Sequence, residues 1–411
     1  MEQIDIDIYI KMKIVLIRNY NPYYENGASA NRFASLADGL CKNGAQVIIV
    51  VTGGYSSVQE KKNGTRYFHK GIEIRYFSKL LNHTLLRRRI NKYLLSEIND
   101  KITQFRLKRL LSWDYDYLWL TNNINALKFF NANNGKIGRS LIEINEFHDI
   151  YKQPGHITNK IQLKKFQEVE ALFLSVIKKI DCFAIMTNTL LEFYKPMAKA
   201  SARFIHLPMT VDMSRFDIEK QVQAESRYIA YAGALSNEKD GVDISIRAFG
   251  SICAQHPGLE LRLAGGWQPG VEKQKQIISQ LGIEDRVKYV GLLSADQIPN
   301  FFVNADVLAL PRPDSHQAQG GFPTKLGEYL ATKNPVCVTR VGEIPNYLED
   351  NVSAFMATPG DADSFADALQ RALSDKENAK RVGEGGYSVA YENFNMDVQA
   401  KRFYDFLQEN L

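Results

Sequence analysis

The chain alternates short apolar runs with longer amphipathic stretches along nearly its whole length. Strand-like runs rich in β-branched residues are predicted first at 13–17, 47–51, 72–76, 117–120, 140–144 and 182–186. The same alternation restarts later, with runs at 228–233, 259–264, 287–290, 307–310 and 335–339. Strands that alternate with helices form parallel sheets covered by helices on their faces. The pattern therefore predicts an α/β protein with two open sheets.

The length and one polar interval divide these elements into two domains. The chain has 411 residues, which fits two domains of about 200 residues each. We predict an N-terminal Rossmann-like domain over residues 1–215, a second Rossmann-like domain over residues 216–393, and a C-terminal helix over residues 394–411. We expect this helix to cross back to the N-terminal domain. Its apolar residues at roughly helical spacing are Val398, Phe403, Phe406 and Leu407.

Composition narrows the class of protein. No run reaches the roughly 18 apolar residues of a membrane-spanning helix, and the start of the chain is acidic where a secretory signal would be basic. We therefore expect a cytoplasmic protein. The four cysteines are far apart and lack zinc-ligand spacing, so we expect buried free thiols and neither a disulfide framework nor a zinc site. We also expect no cofactor and no bound metal. The cysteines are Cys41, Cys182, Cys253 and Cys337.

A formal net charge of +5 is only mildly basic, but the excess is concentrated in residues 79–113. Leucine and isoleucine are threaded through this segment near one helical face, at Leu81, Leu85, Ile90 and Leu94. One interpretation is a helix on an anionic membrane surface, and the other is a pair of solvated helices packed on their own domain. Nucleic acid is not expected as a partner, because no stacking motif accompanies the charge. The basic residues are Arg87, Arg88, Arg89, Lys92, Lys101, Arg106, Lys108 and Arg109.

The most informative stretch is Gln319–Ala331, which follows a strand and a loop and turns into a helix. Its two glycines, Gly320 and Gly321, let the backbone approach a ligand closely, and Phe322 follows them. Pro323 suits the first helical position, and the free amides of Thr324 and Lys325 then point outward with the positive end of the helix dipole. A diphosphate fits such a site. The alternative is a capped surface helix.

Glu328 lies about one turn further along the same helix. A carboxylate at that position can accept hydrogen bonds from two neighbouring ribose hydroxyls. The alternative is a solvated glutamate. The pair of features predicts a site for a nucleoside diphosphate.

With these residues in view, the chain resembles the family 4 retaining glycosyltransferases of the GT-B fold. The 319–331 stretch resembles that family's donor-binding motif, and the loop at 233–243 resembles its first donor-domain loop, with Lys239 at the position of the lysine that meets the donor diphosphate. The resemblance covers nearly the whole chain and is stronger in the second half. The other landmarks, in the family's order, are Gly27-Ala28-Ser29, Pro208–Phe216, Gly233, Gly265, Gly291 and Gly342–Pro345.

The resemblance implies two domains that face each other across a cleft and a donor that is a UDP- or GDP-linked sugar. It also implies transfer with retention of anomeric configuration, without a metal, to a glycan or to an acceptor linked to polyprenyl diphosphate. Similar sequences occur in enzymes that build bacterial capsules, exopolysaccharides and lipopolysaccharides. The loop Gly27-Ala28-Ser29 is expected on the acceptor and phosphate side of the cleft.

Two positions depart from the family's pattern. The family carries an acidic residue eight positions before the glutamate that corresponds to Glu328, and here that position is Gly320. The arginine often found directly after the first loop's glycine is Ala234, which removes one cation from the expected phosphate site. We hypothesise that Lys325 supplies the missing charge.

The residues expected to act on the substrates come from both domains. Lys239 and the helix-start amides would stabilise the departing diphosphate electrostatically. Asn145, Glu146 and His148 follow a predicted strand whose carboxyl end would face the cleft, where they could contact the sugar or the acceptor. The sequence Asp361-Ala362-Asp363 precedes a helix and is interpreted as a cap rather than a metal site.

Two alternatives remain open at this point. A GT-B-like sugar-nucleotide 2-epimerase shares the paired domains and the diphosphate site. An inactive sugar-nucleotide-binding subunit of a polysaccharide assembly complex is kept open by Gly320.

Overall fold

The computed structural model of the chain describes residues 11–25, 27–93, 96–147, 160–220, 227–268 and 270–411. The described elements form two sheets, each covered by helices on both faces. The fold is the predicted α/β arrangement of two Rossmann-like domains. The domain boundaries at 215 and 393 stay predictions.

The first sheet contains eight strands. Its elements are β1 Lys13–Arg18, α1 Ala28–Lys42, β2 Gln46–Val51, α2 Val58–Lys62, β3 Arg66–His69, β4 Ile72–Tyr76, α3 Leu85–Tyr93, α4 Ser96–Leu107, β5 Tyr117–Leu120, α5 Ile124–Asn133, β6 Arg139–Ile144, α6 Lys160–Ile177, β7 Cys182–Ile185, α7 Asn188–Tyr194 and β8 Arg203–His206. The strand order is β3-β4-β2-β1-β5-β6-β7-β8. All neighbours are parallel except β3 and β4.

The second sheet contains six parallel strands in the order β11-β10-β9-β12-β13-β14. Its elements are β9 Arg227–Ala232, α8 Asn237–Asp240, α9 Val242–Ile252, β10 Leu259–Ala264, α10 Val271–Leu281, β11 Val287–Gly291, α11 Gln297–Val303, β12 Val307–Leu310, α12 His316–Gly320, α13 Thr324–Ala331, β13 Val336–Thr339, α14 Ile344–Tyr347, β14 Phe355–Ala357, α15 Ala362–Ser374 and α16 Lys376–Asn393.

The last helix, α17 Met396–Glu409, packs on the first domain, as predicted. The Phe403 ring meets Trp119 of β5 edge-on at 5.4 Å, and the Tyr117 hydroxyl donates to the Leu407 carbonyl at 2.8 Å. Gly39 of α1 faces Ala400, whose methyl group leaves no room for a side chain there. Phe403 and Leu407 are fully buried, so this helix is part of the first domain's core.

Three of the described strands were not predicted from the sequence. β3 pairs with β4 across the two-residue turn Lys70-Gly71, where both residues have positive φ. β8 has four residues and β14 only three. Each is too short or too polar to show a clear apolar run. The prediction also placed Leu81 on a helical face with Leu85, but Leu81 instead bridges Tyr55 and the helix begins at Leu85. Leu94 lies outside the described residues.

All four cysteines are free. Three are buried as expected, whereas Cys41 is half-buried. No helix among the described residues has the length and apolar character needed to span a bilayer.

Candidate functional site

In the second domain the strand order reverses between β9 and β12, and we call the space at the carboxyl ends of these strands the crevice. β10 lies on one side of β9 and β12 on the other, so the loops that leave these strands diverge. Ligands of open parallel sheets bind at such a point, at the carboxyl ends of the strands. Here these ends are followed by Gly233 and by the sequence Pro311-Arg312-Pro313.

The loop after β9 carries the predicted Lys239. Ser236 caps the short helix α8 by accepting a hydrogen bond from the Lys239 amide at 3.1 Å, and the Lys239 side chain is exposed. The next residue, Asp240, is buried. Gly241 then takes a left-handed conformation, with φ 67°, and packs directly against the Pro311 carbonyl. The two loops of the crevice therefore contact each other.

Lys325 reaches this loop from α13. Its ammonium lies 3.2 Å from the Asp240 carboxylate and donates to the Tyr231 hydroxyl at 2.9 Å. A side chain at Gly233 would overlap the ammonium. Burial lowers the pKa of Lys325 and raises the pKa of Tyr231 well above its ordinary value. Lys325 thus places a cation beside Gly233, where the sequence comparison found an arginine missing.

Arg312 was not predicted from the sequence. It is 4% exposed, and its Nη1 donates a hydrogen bond to the Gly321 carbonyl at 3.3 Å. Within the described part of the chain, Nε has no partner and the guanidinium forms no ion pair within 4.0 Å. Burial lowers the pKa of Arg312, while the charges of Asp240 and Glu146 oppose this effect. The available signal was an arginine between two prolines directly after a buried strand.

The helix α13 begins at Thr324, one residue later than predicted. Pro323 has φ −73° and ψ 109°, so it is the residue before the helix rather than its first residue. No side chain caps this end, which leaves the first amides available. Phe322 is buried against Tyr347 and Phe394, at centroid distances of 5.5 and 5.3 Å. Its side chain belongs to the core, and only its backbone borders the crevice.

Glu328 forms an ion pair that the sequence did not predict. Its carboxylate accepts from Arg215 Nη1 at 3.0 Å, and Arg215 Nη2 donates to the Ala295 carbonyl at 2.9 Å. Burial raises the pKa of Glu328, whereas Arg215 lowers it. Arg215 lies in the segment that connects the two sheets, so this contact joins the predicted ribose-binding carboxylate to the interdomain linker.

Gly320 packs against the N-terminal domain. A side chain at this position would overlap the ring of Phe147, which stacks on His316 with centroids 4.1 Å apart. The Gly320 carbonyl accepts a hydrogen bond from Thr187 Oγ1 at 2.7 Å. The missing acidic residue is therefore explained by an interdomain contact, because Phe147 takes the space that a larger side chain would need.

The N-terminal residues predicted near the sugar lie on the other side of this contact. Asn145 Oδ1 is buried without a hydrogen-bond partner among the described residues, and the Asn145 carbonyl lies near Gly321. Glu146 is exposed and accepts from Gln317 Nε2 at 3.5 Å. The structure thus brings Asn145 and Glu146 to the second domain, while His148 lies outside the described residues.

The loop Gly27-Ala28-Ser29 starts α1 in the N-terminal domain. Gly27 precedes the helix with φ 133°, and no side chain caps this end. Arg18, at the end of β1, pairs with Glu25 at 2.8 Å and donates to Ser29 Oγ at 3.4 Å. Arg18 is a second cation that the sequence did not predict, and it places a positive charge beside exposed helix amides.

The predicted Gly265 follows β10, and the predicted Gly291 is the last residue of β11. The Gly265 amide donates to the Gly291 carbonyl at 2.8 Å, and a side chain on Gly265 would overlap the Gly233 carbonyl. Gly265 therefore keeps the loops at the strand ends close together.

Asp361 caps α15, as predicted, and accepts from the amides of Asp363 and Ser364 at 2.9 Å each. Among the residues that the structure describes, no group of three or more His, Cys, Asp and Glu side chains is arranged to hold a metal ion.

Comparison with known proteins finds a family match over the second domain. Residues 213–389 match the family Glycosyl transferases group 1. Over 95% of its length the chain is 22% identical to an uncharacterized glycosyltransferase, MJ1607, of Methanocaldococcus jannaschii, and covers 96% of that protein.

Two relatives with assigned activities match over about half of each chain. A GDP-mannose-dependent alpha-(1-6)-phosphatidylinositol monomannoside mannosyltransferase of Mycobacterium tuberculosis is 26% identical over 51% of this chain and 56% of its own. The amylovoran biosynthesis glycosyltransferase AmsK of Erwinia amylovora is 25% identical over 49% of each chain.

Solved structures share the fold over nearly the whole chain. Sucrose-phosphate synthase from Thermosynechococcus elongatus superposes with a TM-score of 0.74 at 15% identity, over 97% of this chain and 99% of its own. Alr3699/HepE of Anabaena, in complex with UDP and glucose, superposes with a TM-score of 0.71 at 16% identity, over 97% and 100%. Residues 213–389 thus match the family Glycosyl transferases group 1, and over nearly its whole length the chain has the GT-B fold.

Proposed function

We propose that the protein transfers a sugar from a nucleoside-diphosphate sugar to a glycan or lipid-linked acceptor, with retention of anomeric configuration and without a divalent cation. One observation carries the proposal: the Lys325 ammonium lies beside Gly233 at the point where the sheet order reverses. Lys239 lies close enough to lower the pKa of Lys325 further. Two lysines and the uncapped start of α13 suit a diphosphate.

The donor lies along α13 in this proposal. Its ribose hydroxyls would donate to Glu328, and its diphosphate would lie over the amides of Thr324 and Lys325. Support for a nucleotide donor comes from Alr3699/HepE, whose structure holds UDP and glucose, and from the GDP-mannose-dependent mannosyltransferase. We therefore propose UDP or GDP as the nucleotide.

In the reaction, the bond between the anomeric carbon and the diphosphate oxygen breaks, and the leaving group gains negative charge. A bond forms on the same face between that carbon and an acceptor hydroxyl oxygen, whose proton passes to the diphosphate. Lys239, Lys325 and the helix amides stabilise the departing charge without moving. Asn145 and Glu146 border the sugar from the N-terminal domain, with His148 proposed beside them.

The acceptor binds on the N-terminal side of the cleft. The exposed amides at Ala28 and Ser29 and the neighbouring Arg18 suit a phosphate group of a polyprenyl-diphosphate-linked acceptor. The relatives include a protein named for amylovoran biosynthesis, and a structural neighbour named WaaG is described as involved in lipopolysaccharide biosynthesis. We propose a role in surface polysaccharide biosynthesis.

A lipid-linked acceptor fits a surface of α3 and α4 that we call the basic-apolar face. Leu85 and Leu86 are exposed beside Arg87 and Arg89. On α4, Ile98, Ile102 and Phe105 follow one another at helical spacing and are exposed as well. A solvated helix would turn such a stripe inward. We propose that this face lies on the anionic inner surface of the cytoplasmic membrane.

One alternative from the sequence, an inactive binding subunit, was kept open by Gly320, and the contact with Phe147 gives a steric reason for a glycine at this position. An epimerase acts on the sugar nucleotide without an acceptor. One assay with and without acceptor therefore distinguishes a transferase, an epimerase and an inactive binding subunit.

Purified protein would be incubated with candidate UDP- and GDP-sugars, with and without lipid-linked acceptor, and free nucleoside diphosphate would be measured in EDTA. We expect release that depends on acceptor and persists in EDTA. The Lys239→Ala variant should release about 100-fold less, since it loses an electrostatic contact to the leaving group. Release that needs a divalent cation would contradict the metal-independent mechanism. Donor epimerisation without acceptor, or donor binding without turnover, would contradict transfer.

A further inference from the structure

Among the described residues, no carboxylate lies within 4.0 Å of the buried Arg312 guanidinium. This group stays protonated in proteins, and burying a charge without a partner is unfavourable. The charge of the buried Asp240 acts on Arg312, but the Asp240 carboxylate pairs with the Lys325 ammonium at 3.2 Å. Among the residues that the structure describes, the crevice thus brings three cations, Lys239, Lys325 and Arg312, around the buried Asp240. Such a surplus of positive charge indicates an anionic ligand.

The position of Arg312 shows which part of a ligand it faces. It is the second residue after β12, in the crevice where the strand order reverses. Nη1 donates to the Gly321 carbonyl, which places the guanidinium at the loop that precedes α13. Glu146 of the N-terminal domain also acts on it through its charge. Arg312 therefore lies on the side of the crevice that borders the cleft.

The direction of the donor follows from α13. Glu328, the proposed ribose contact, lies one turn inside the helix, whereas Gly321 lies before its start. A nucleoside diphosphate that runs from Glu328 toward Gly321 has its terminal phosphate at the Gly321 end. Asn145, with a buried and unpartnered Oδ1, borders the same loop from the opposite domain.

We propose that Arg312 binds the terminal phosphate of the donor, the one that carries the sugar and leaves with the nucleotide. This inference rests on the proposed function and adds a phosphate-binding residue to it. The family often has an arginine at the position of Ala234. Arg312 and Lys325 together supply the positive charge that this arginine would provide. Its planar guanidinium can donate two hydrogen bonds to one phosphate.

The test compares nucleoside diphosphates with monophosphates by calorimetry, using UDP, GDP, UMP and GMP. Arg312→Gln should bind the diphosphate about 10- to 100-fold more weakly than the wild type, because a charge-assisted contact is lost. Binding of the monophosphate should change less than about threefold. Arg312→Lys keeps the positive charge but loses the two parallel hydrogen bonds of the guanidinium, so its affinity for the diphosphate should lie between those of the wild type and Arg312→Gln. Arg381→Gln removes an exposed arginine of α16 as a matched control and should bind like the wild type.

The outcomes separate this inference from the proposed function. If the wild type binds neither UDP nor GDP, the proposed function itself fails. If the wild type binds a diphosphate and both Arg312 variants bind it equally well, the role of Arg312 fails while the function stands. An equal loss for monophosphate and diphosphate would assign Arg312 to the inner phosphate or to folding, and would also overturn the proposal. Retained monophosphate binding shows that a variant is folded.

Discussion

Gly320 and Phe147 come from different domains and occupy adjoining space. The position that the family fills with an acid is occupied here by a glycine because an aromatic ring of the other domain packs on it. The ring is itself held between His316 and Phe193. It therefore cannot move aside as the end of a flexible side chain could.

We expect Gly320→Ala to destabilise the folded protein by about 1–3 kcal/mol, because the new methyl group forces Phe147 from its place. Thermal unfolding would measure the loss. Gly135→Ala is the control, since that glycine has ordinary φ and open space around it. In a Phe147→Ala background the same substitution at 320 should cost much less. An equal cost in both backgrounds would rule out this contact as the cause.

Single residues differ in how far the sequence reveals them. Lys325 and Glu328 lie in a recognisable strand-loop-helix motif, so their neighbourhood was predictable. Arg312 and Phe147 were not, because their partners are Gly321 and Gly320, which belong to a different loop or a different domain. The pairing of Glu328 with Arg215 likewise joins residues 113 positions apart. Contacts of this kind need the folded chain before they can be seen.

Among the elements, α3 and α4 expose more apolar surface than is expected for a pair of helices in contact with water only. On α4, Ile98, Ile102 and Phe105 are 58%, 44% and 68% exposed, and the basic residues Arg87 and Arg89 of α3 lie on the neighbouring helix. The sequence predicted the charge and the leucines of this segment. It did not predict the stripe on α4, because a period of apolar residues does not show which face is buried.

We expect the protein to sediment with vesicles that contain anionic lipid, and to do so less with neutral vesicles or at high salt. Replacing Ile98, Ile102 and Phe105 with serine should reduce sedimentation several-fold, since their apolar area no longer enters the membrane. The matched control replaces Phe68, Val352 and Tyr391, which are 65%, 44% and 54% exposed elsewhere. The membrane contact would be contradicted if both triple variants lost vesicle sedimentation equally, or if the wild type did not bind vesicles at any salt concentration.

The main strands were predictable because each parallel sheet buries both faces of its strands. Such strands appear in the sequence as uninterrupted apolar runs, as in residues 47–51 and Val307–Leu310. β3 has alternating exposure at the sheet edge, and its hairpin turn depends on two positive φ values. Edge strands of this kind carry a weaker signal in the sequence.

At the scale of the whole molecule, two contacts connect α7 of the first domain to the second. Thr187 Oγ1 donates to the Gly320 carbonyl at 2.7 Å, and the Asn188 amide donates to the buried carboxylate of Glu343. Thr187 also caps α7. These bonds hold the N-terminal end of a first-domain helix against the loops that border the donor crevice.

We expect Thr187→Val to shift the domains toward a more open arrangement by about fivefold in population, since one hydrogen bond is worth about 1 kcal/mol. Small-angle scattering of the ligand-free protein would show a larger radius of gyration. Thr332→Val is the control, because Thr332 is a buried threonine whose bonds to Tyr329 and Asn334 stay within one domain. Scattering profiles that are the same for both variants would contradict a role of Thr187 in closure.

The chain passes between the domains twice, and the two passages touch. The Val211 amide donates to the Phe394 carbonyl at 2.8 Å, and the Met396 amide donates back to the Val211 carbonyl at 3.0 Å. Because these two hydrogen bonds join the passages, we expect any opening of the domains to pivot about this pair of backbones. Arg215 lies four residues from this pivot, so its ion pair with Glu328 would persist while the more distant parts of the cleft separate.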